Sequence, residues 1–459
     1  MTRITFILSA LAAGTALTIC AAAAQNAQSD AMSEATTERP PVAEPIRVDS
    51  FEGQNAAVQP LDAATGPAPA EAGLPGEYYV PSTTENVTWG RLPNRASQPI
   101  LTVPSGATVT VDTISHEGIL EDQGRDPVAW FGQFGVSEDQ VITDAVALTA
   151  SELEHDFAGD GPHVVTGPIA IEGAEAGDIL MIETLTIEPR VPYGVISNRH
   201  GKGALPGEYP LGPKPEENAS AENPEAYNNV SIFTPIRQFR GEIYGVLNGG
   251  DRGEISFRAI PFMGLMGVAT DTEEALNSVP PGEWGGNIDI NEIGAGSTLY
   301  LPIEVDGGLF YTGDPHASQG DGEVALTALE LSARTTFRLT VLKEGDERLP
   351  VPGLDRPFAE TPDYWIPIGL NEDLDEAMKE AVRSSIGFLT DRLGIDPQTA
   401  LAYLSAATDY EVSQVVDKTK GVHALIAKSD FAGFTTTALP ETASAEEASS
   451  AQGEASSAQ

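Results

Sequence analysis

The sequence predicts a mainly β protein of α+β class: a β-sandwich or barrel-like body completed by a small C-terminal helical segment. Two observations carry this. Through the first three quarters of the chain, apolar and polar residues alternate in short runs rich in β-branched and aromatic side chains, each punctuated by glycine. A convincing helical period appears only late.

Taken in order, ILTVPSGATVTVDTIS (Ile100–Ser115) alternates around a Pro-Ser-Gly turn. VVTGPIAIEGAEAGDILMIETLTI (Val164–Ile187) alternates around Gly173 and Gly177, and STLYLPIEVDGGLFYTGD (Ser297–Asp314) turns at Asp306-Gly307-Gly308. Each reads as a hairpin. EVALTALELSARTTFRLTVLK (Glu323–Lys343) adds two strands. DLDEAMKEAVRSSIGFLTDRLG (Asp373–Gly394) places Leu374, Met378, Val382, Ile386 and Leu389 three or four residues apart, which predicts a helix capped by Asn371 or Asp373 and ended by Gly394. A second helix is expected over Asp396–Tyr410. Pro206–Asn228 is rich in Pro, Glu and Asn and reads as a long surface loop.

The ends read differently from the body. Arg3, a short apolar run and the small residues Ala22-Ala23-Ala24 predict a secretory signal peptide over 1–24. Residues 25–75 read as a disordered or extended linker, 76–348 as the β-rich catalytic body, 349–435 as the helical segment completing it, and 436–459 as a disordered acidic tail. The single cysteine, Cys20, lies in the signal, so the mature chain is expected to have neither disulfides nor thiolate metal ligands. The expected destination is the periplasm or the medium, with no membrane insertion after signal removal.

A formal net charge of −43 repels nucleic acid and anionic lipid and favours a neutral or cationic substrate. A homodimer is the symmetric default.

The densest chemistry lies in GDPHASQGDGE (Gly313–Glu323). Asp314 and His316 are two residues apart, as are Asp321 and Glu323, so in extended chain each pair shares a face. Carboxylates beside an imidazole can hold a divalent metal or run acid–base chemistry. PPGEWGGNIDI (Pro280–Ile290) repeats the spacing with Asn287 and Asp289, and Gly285 and Gly286 permit close approach of a backbone or ligand. His116, in DTISHEG, follows a strand end. His200, in SNRHGKG with Arg199 and Lys202, fits an anion site or a solvent-facing loop, while His163, in DGPH, reads as structural. PFMGLMG (Pro261–Gly267) is either a packed apolar turn or a pocket wall. The sequence shows no G-x-S-x-G elbow, phosphate loop, H-E-x-x-H helix or Ser-Lys amidase pattern. For a hydrolase this leaves water activated at a metal as the nucleophile.

The segments GPIAIEGAEAGDIL, PYGVISNRHGKG, PPGEWGGNIDI and GDPHASQGDGE, followed by DYEVSQVVDKTKGVHALIAK, resemble the acetamidase/formamidase family, in the family's order and across nearly the whole body. The resemblance implies a β-rich fold, metal-dependent members, and hydrolysis of a small amide to a carboxylate and ammonia. Carried onto this chain, it suggests His116, Asp289 and His316 as metal ligands, with Asp314 as a further ligand or a group orienting an imidazole. Glu323 is then the general base on the attacking water and the acid for the leaving amine. Asn287, with an N–H of Gly285 or Gly286, stabilises the oxyanion, and Gln319 joins the two glycines in contacting substrate. The expected cofactor is a divalent metal, zinc first, with calcium or manganese as alternatives. Two other readings share the scaffold: a non-catalytic binder of a metal or small ligand, and a hydrolase of a larger amide.

Overall fold

The computed structural model describes residues 57–434. The expected signal peptide, the linker up to residue 56 and the acidic tail lie outside them. Along the chain run β1 (Gly66–Pro67), β2 (Tyr78–Val80), β3 (Val87–Trp89), β4 (Leu101–Val103), β5 (Ala107–Asp112), α1 (Pro127–Gly132) and α2 (Thr143–Ala150). Then come β6 (Val164–Ile171), β7 (Ile179–Pro189), β8 (Tyr193–Asn198), β9 (Val230–Phe239), β10 (Glu242–Asn248), β11 (Glu254–Ala259), β12 (Phe262–Gly267) and β13 (Gly285–Asn287). They are followed by β14 (Thr298–Pro302), β15 (Phe310–Ser318), β16 (Leu329–Glu330), β17 (Ala333–Leu342), β18 (Phe358–Glu360) and β19 (Tyr364–Asn371). The chain closes with α3 (Leu374–Asp391), α4 (Pro397–Ala407), β20 (Asp409–Gln414) and β21 (Lys420–Ala427).

The strands form two sheets. One has 10 strands in the order β1-β2-β5-β17-β7-β14-β18-β19-β21-β20. The other has 11, with the path β11-β10-β9-β8-β16-β15-β12-β13, while β6 pairs with β15 and carries β3 and β4. The sheets face each other across one apolar core. Val109, Leu180, Leu301 and Phe337 come from the first sheet, and Ile169, Met263, Met266 and Phe310 from the second. Alternation along β7 shows the layering. Leu180 and Ile182 point into this core, while Ile179 and Met181 point the other way, to pack with Phe388, Leu389 and Leu404 of the two late helices. The result is a β-sandwich with a helical layer on one outer face.

The runs read as strands do hold strands, β12 occupies the Pro261–Gly267 segment read as a turn or pocket wall, and the pairings expected from period-2 patterning do not form. β4 pairs with β6 in the second sheet, whereas β5 pairs with β2 and β17 in the first. The runs holding β6 and β7, and β14 and β15, split between the sheets in the same way. These glycine turns are corners at which the chain crosses the sandwich, rather than hairpins. Alternation marks which side chains are buried and is silent on the strand that supplies hydrogen bonds.

Of three further boundaries, one holds and two shift. α3 begins at the Asp373 cap, whose side chain accepts from the N–H groups of Asp375 and Glu376. The last residues expected in the second helix belong to β20, and the 349–435 segment supplies β18 to β21 as well as its helices. Residues 57–75, expected to be a disordered or extended linker, include β1 and a 3-10 turn at Ala70–Ala72 and are tied to the body. The Val58 carbonyl accepts from Arg190 Nε at 3.0 Å, the Gln59 carbonyl accepts from Arg334 Nη2 at 3.1 Å, and Leu61 N–H donates to the Tyr79 hydroxyl. Buried arginines need those acceptors, which the local composition does not reveal.

Candidate active site

The motif Gly313–Glu323 begins as the end of β15. Gly313 is there because β6 passes so close that a Cβ would meet the Val164 carbonyl oxygen at 2.5 Å. Asp314 and His316 project to one side, as their spacing predicts, with His316 Nε2 3.0 Å from Asp314 Oδ2. Asp321 and Glu323 do not share a face. The chain turns through left-handed Gly322 and Glu323, at φ 96° and 46°, so Glu323 enters the site and Asp321 points elsewhere.

Other elements bring partners to this pair. His116, on the loop after β5, places Nδ1 3.2 Å from Asp314 Oδ1 and Nε2 3.2 Å from Glu117 Oε1. His163, just before β6, brings Nε2 to 3.7 Å from Asp314 Oδ2. Asp289, two residues beyond β13, stands 3.9 Å from His316 Nδ1, and Glu330 of β16 stands 3.2 Å from His316 Nε2. Asp417 accepts from Asn287 Nδ2 at 2.7 Å. Four groups result: His116–His163–Asp314, Asp289–Asp314–His316, His316–Glu323–Glu330 and Asp289–Glu323–Asp417. Within each, the potential ligand atoms lie within 4.8 Å of one another. Shared residues fuse the groups into one cluster beside a cavity of about 380 Å³, walled in part by His116, His163, Asn287, Asp314, Glu323, Glu330 and Asp417. Lys202, Pro206 and Lys418 also border it.

The cluster is buried and short of cations. Burial, with the charges of Glu323 and Asp417, holds Asp289 well above the usual carboxylate range. Burial and the Asp417 and Glu330 charges do the same to Glu323, and burial and the Asp314 charge push Asp417 up to about 7. Asp314 shifts the other way: burial opposes its charge, but His163, His316 and His116 outweigh it. Burial also opposes charge on His116, yet the carboxylates of Asp314 and Glu117, each 3.2 Å from a ring nitrogen, push it up to about 10.

Many polar atoms here are buried without a hydrogen-bond partner: both ring nitrogens of His116, both oxygens of Asp289, Asp314 Oδ1, His316 Nδ1, Glu323 Oε2 and Glu330 Oε2. Buried polar groups are normally satisfied, and a cluster of unpartnered imidazole and carboxylate atoms facing one another has the donor chemistry that suits a divalent cation. Gly264 reinforces this. It lies between the register pairs Met263–Pro315 and Leu265–Gly313. A Cβ on it would meet Asp289 Oδ1 at 2.5 Å, His316 Cε1 at 2.7 Å and Asp314 Oδ2 at 3.0 Å, filling the space those groups surround. The residues therefore fit a divalent metal. Asp289, Asp314 and Glu323 all adopt left-handed backbone, at φ 49°, 49° and 46°, a region non-glycine residues seldom occupy outside functional sites.

Measured against the sequence reading, His116, Asp289, Asp314, His316, Glu323 and Asn287 come together. Three assignments change. Gly285 and Gly286 do not line the cavity, and the Gly285 N–H is spent on the Gly282 carbonyl in a tight turn. Gln319 is also absent from the cavity wall. Its Nε2 donates to the Asp289 and Ser413 carbonyls, so it braces a site residue instead of touching substrate. Asn287 donates one of its two amide N–H groups to Asp417, and its Oδ1 is an unpartnered acceptor at the cavity wall.

Sequence reasoning missed His163, Glu330, Asp417 and Gly264. His163 sits in a turn-like DGPH that gives no hint of Asp314. Glu330 falls on the polar phase of its strand, and only the fold shows that phase to be buried as well. Asp417 lies inside one of the quoted family-like segments, where it was not singled out. Arg199 is neither an anion site nor solvent-facing: it is buried and pairs with Glu117 at 3.0 Å and Asp122 at 2.8 Å.

A β-sandwich presenting a buried carboxylate–imidazole centre at a cavity is the class that fold and site define. Residues 269–431 match the acetamidase/formamidase family, the family that the motifs resemble. A formamidase from Methylophilus methylotrophus is 26% identical over 304 residues, covering 56% of this chain and 73% of that protein. A Schizosaccharomyces pombe relative is 27% identical over 225 residues, covering 40% of this chain and 52% of its own length, so this chain spans about half of it. Among solved structures, an acetamidase from Bacillus halodurans superposes with a TM-score of 0.58 at 26% identity, covering 78% of this chain and 100% of that one.

Proposed function

We propose that this protein is an exported, metal-dependent hydrolase that cleaves the C–N bond of a small linear amide to a carboxylate and ammonia. The observation that carries the reading is the set of orphaned imidazole and carboxylate atoms converging beside one cavity. Asp289, Asp314 and His316, with His116 adjoining, are the ligands; mixed nitrogen and oxygen donors favour zinc or manganese over calcium. A divalent cation there supplies Lewis acidity to the amide carbonyl and makes water more acidic.

The chain's own groups do the rest. Glu323 has a free Oε2 at the cavity wall, takes a proton from the attacking water and delivers it to the departing nitrogen. Burial raises its proton affinity, which suits the delivery step. Asn287 Oδ1 accepts from the substrate amide N–H and selects for an amide over an ester. His163, with Nδ1 held by Ser278 Oγ at 2.9 Å, orients Asp314.

A larger amide is favoured by one observation. The cavity, about 380 Å³, falls within the range of roughly 300–1,000 Å³ typical of sites for far larger ligands than formamide. Ammonia release from formamide, acetamide and longer amides, with and without chelator, tests both readings. Silence on every amide despite bound metal would favour a binder. Export is tested by cell fractionation with N-terminal sequencing, the mature chain being expected to start just after Ala24.

A further inference from the structure

Asp321, turned away from the site by the bend at Gly322, does not face solvent alone. Together with Glu292, Glu411 and His423 it forms a group whose potential ligand atoms lie within 4.8 Å of one another. Glu411 and His423 are direct cross-strand partners on β20 and β21, which puts their side chains on one face. Glu292 comes from the turn beyond Asp289. Among the described residues no lysine or arginine forms an ion pair with any of the three carboxylates; His423 is the only basic group facing them.

His423 is fully buried and aimed into this group. Its Nδ1 is fixed by Ser413 Oγ at 2.8 Å. Its Nε2 has no hydrogen-bond partner of good geometry, although Glu292 Oε2 lies 3.1 Å away and Glu411 Oε2 3.6 Å. Glu292 Oε2 is likewise buried and unpartnered. An imidazole held through one nitrogen and presenting the other to carboxylates has the arrangement of a ligating histidine. The Glu292 and Glu411 side chains keep 18% and 31% of their surface exposed, which leaves an entry path.

We propose that Glu292, Asp321, Glu411 and His423 form a second divalent-cation site, separate from the cavity, that fastens the turn carrying Glu323 to the β20–β21 edge. Three carboxylates with one imidazole suit Mn²⁺ or Zn²⁺ better than the all-oxygen preference of Ca²⁺. The turn is already joined to that edge by Gly322 N–H to the Ser413 carbonyl at 3.1 Å and Val415 N–H to the Gly322 carbonyl at 3.3 Å. Gln319 extends the connection to the Asp289 carbonyl. The cation neutralises three converging carboxylates that would otherwise repel at this junction.

The test counts metal and does not use activity. Full-length protein is stripped with chelator and equilibrated with Mn²⁺ or Zn²⁺, and bound metal is measured by elemental analysis for wild type, Glu411→Gln, Glu292→Gln and Asp289→Asn. The expected result is that each glutamine variant holds one equivalent less than wild type, while Asp289→Asn retains that equivalent. Wild-type metal content in both glutamine variants overturns the proposal. Should Glu292→Gln fold poorly, the more exposed Glu411→Gln decides. In the Asp289→Asn background, Mn²⁺ should raise the Tm, and adding Glu411→Gln should abolish the rise; a rise that persists also overturns it. Failure of amide hydrolysis at the cavity would leave these counts unchanged.

Discussion

Two buried polar clusters in this protein are built in opposite ways. In the first, two arginines meet two aspartates. Arg190 holds Asp144 through Nη1 at 2.7 Å and Nη2 at 3.2 Å, and Arg334 holds Asp112 through Nε at 2.6 Å and Nη2 at 2.8 Å. Ser82 and Tyr79 hydroxyls donate to the same aspartates. None of these atoms is left without a partner. In the second, Asp289, Asp314, Glu323, Glu330 and Asp417 face three histidines, and many of their polar atoms are orphaned. The contrast separates two uses of buried charge. A balanced, fully bonded cluster fixes the fold, here by clamping residues 57–61 and α2 to the sandwich. An unbalanced one is costly by itself and is what a site for a cation or a polar ligand requires.

The comparison can be broken from either side. The largest effect is expected from Glu323→Gln, which should lower kcat for the amide substrate by about 10²–10⁴-fold. Metal content and Tm should stay near wild type, because the variant removes an unpaired buried charge without emptying space. Full turnover in steady-state ammonia release would remove Glu323 from the chemistry.

Asp144→Ala should do the reverse. It leaves the Arg190 guanidinium buried without its bidentate partner, a loss on the order of 3–5 kcal/mol. Urea unfolding should show this as a lower midpoint, with metal content per folded molecule unchanged. A midpoint within experimental error of wild type would mean that the cluster is not what holds the N-terminal segment.

A smaller effect is expected from Gly264→Ala, which touches no ligand atom by substitution yet pushes a methyl among Asp289, His316 and Asp314. Metal affinity, read by competition with a chelating dye, should fall roughly 10–100-fold, as for disturbed ligand orientation elsewhere. Unaltered affinity would show that the space beside Gly264 is not where the cation sits. The smallest effect belongs to the surface. Arg237→Ala removes a bidentate pair with Glu254, at 2.5 and 2.8 Å, on the exposed β9–β11 face. Thermal unfolding should register less than about 1 kcal/mol, because exposed pairs are screened.

Legibility followed the same division. Asp314 and His316 could be paired from sequence because both lie on one strand, two residues apart, although Asp314 itself departs from extended backbone. Asp321 and Glu323 could not, because Gly322 between them and Glu323 itself are both left-handed, and nothing in D-G-E announces that the Glu will adopt φ 46°. The late helix was legible down to its Asp373 cap, since capping and period are local. α1 and α2 went unread: they are short, and their hold comes from Trp130, Phe131 and Leu148, which pack in one apolar cluster with Val164, Tyr193 and Phe233. Arg190 and Arg334 gave no sign of burial, because their partners lie 46 and 222 positions away.

The sequence alone determined the β-rich class, the strands within 100–115, 164–187, 297–314 and 323–343, the late helices and the polar motif that anchors the site, all of which rest on spacing within a dozen residues. Tertiary structure alone decided which strands pair, that the glycine turns are corners between sheets, and that His163, Glu330 and Asp417 join Asp314. It also sent Asp321 and Glu323 to different clusters. Those outcomes depend on which distant segments close on one another across the sandwich, and local periodicity carries no information about that closure.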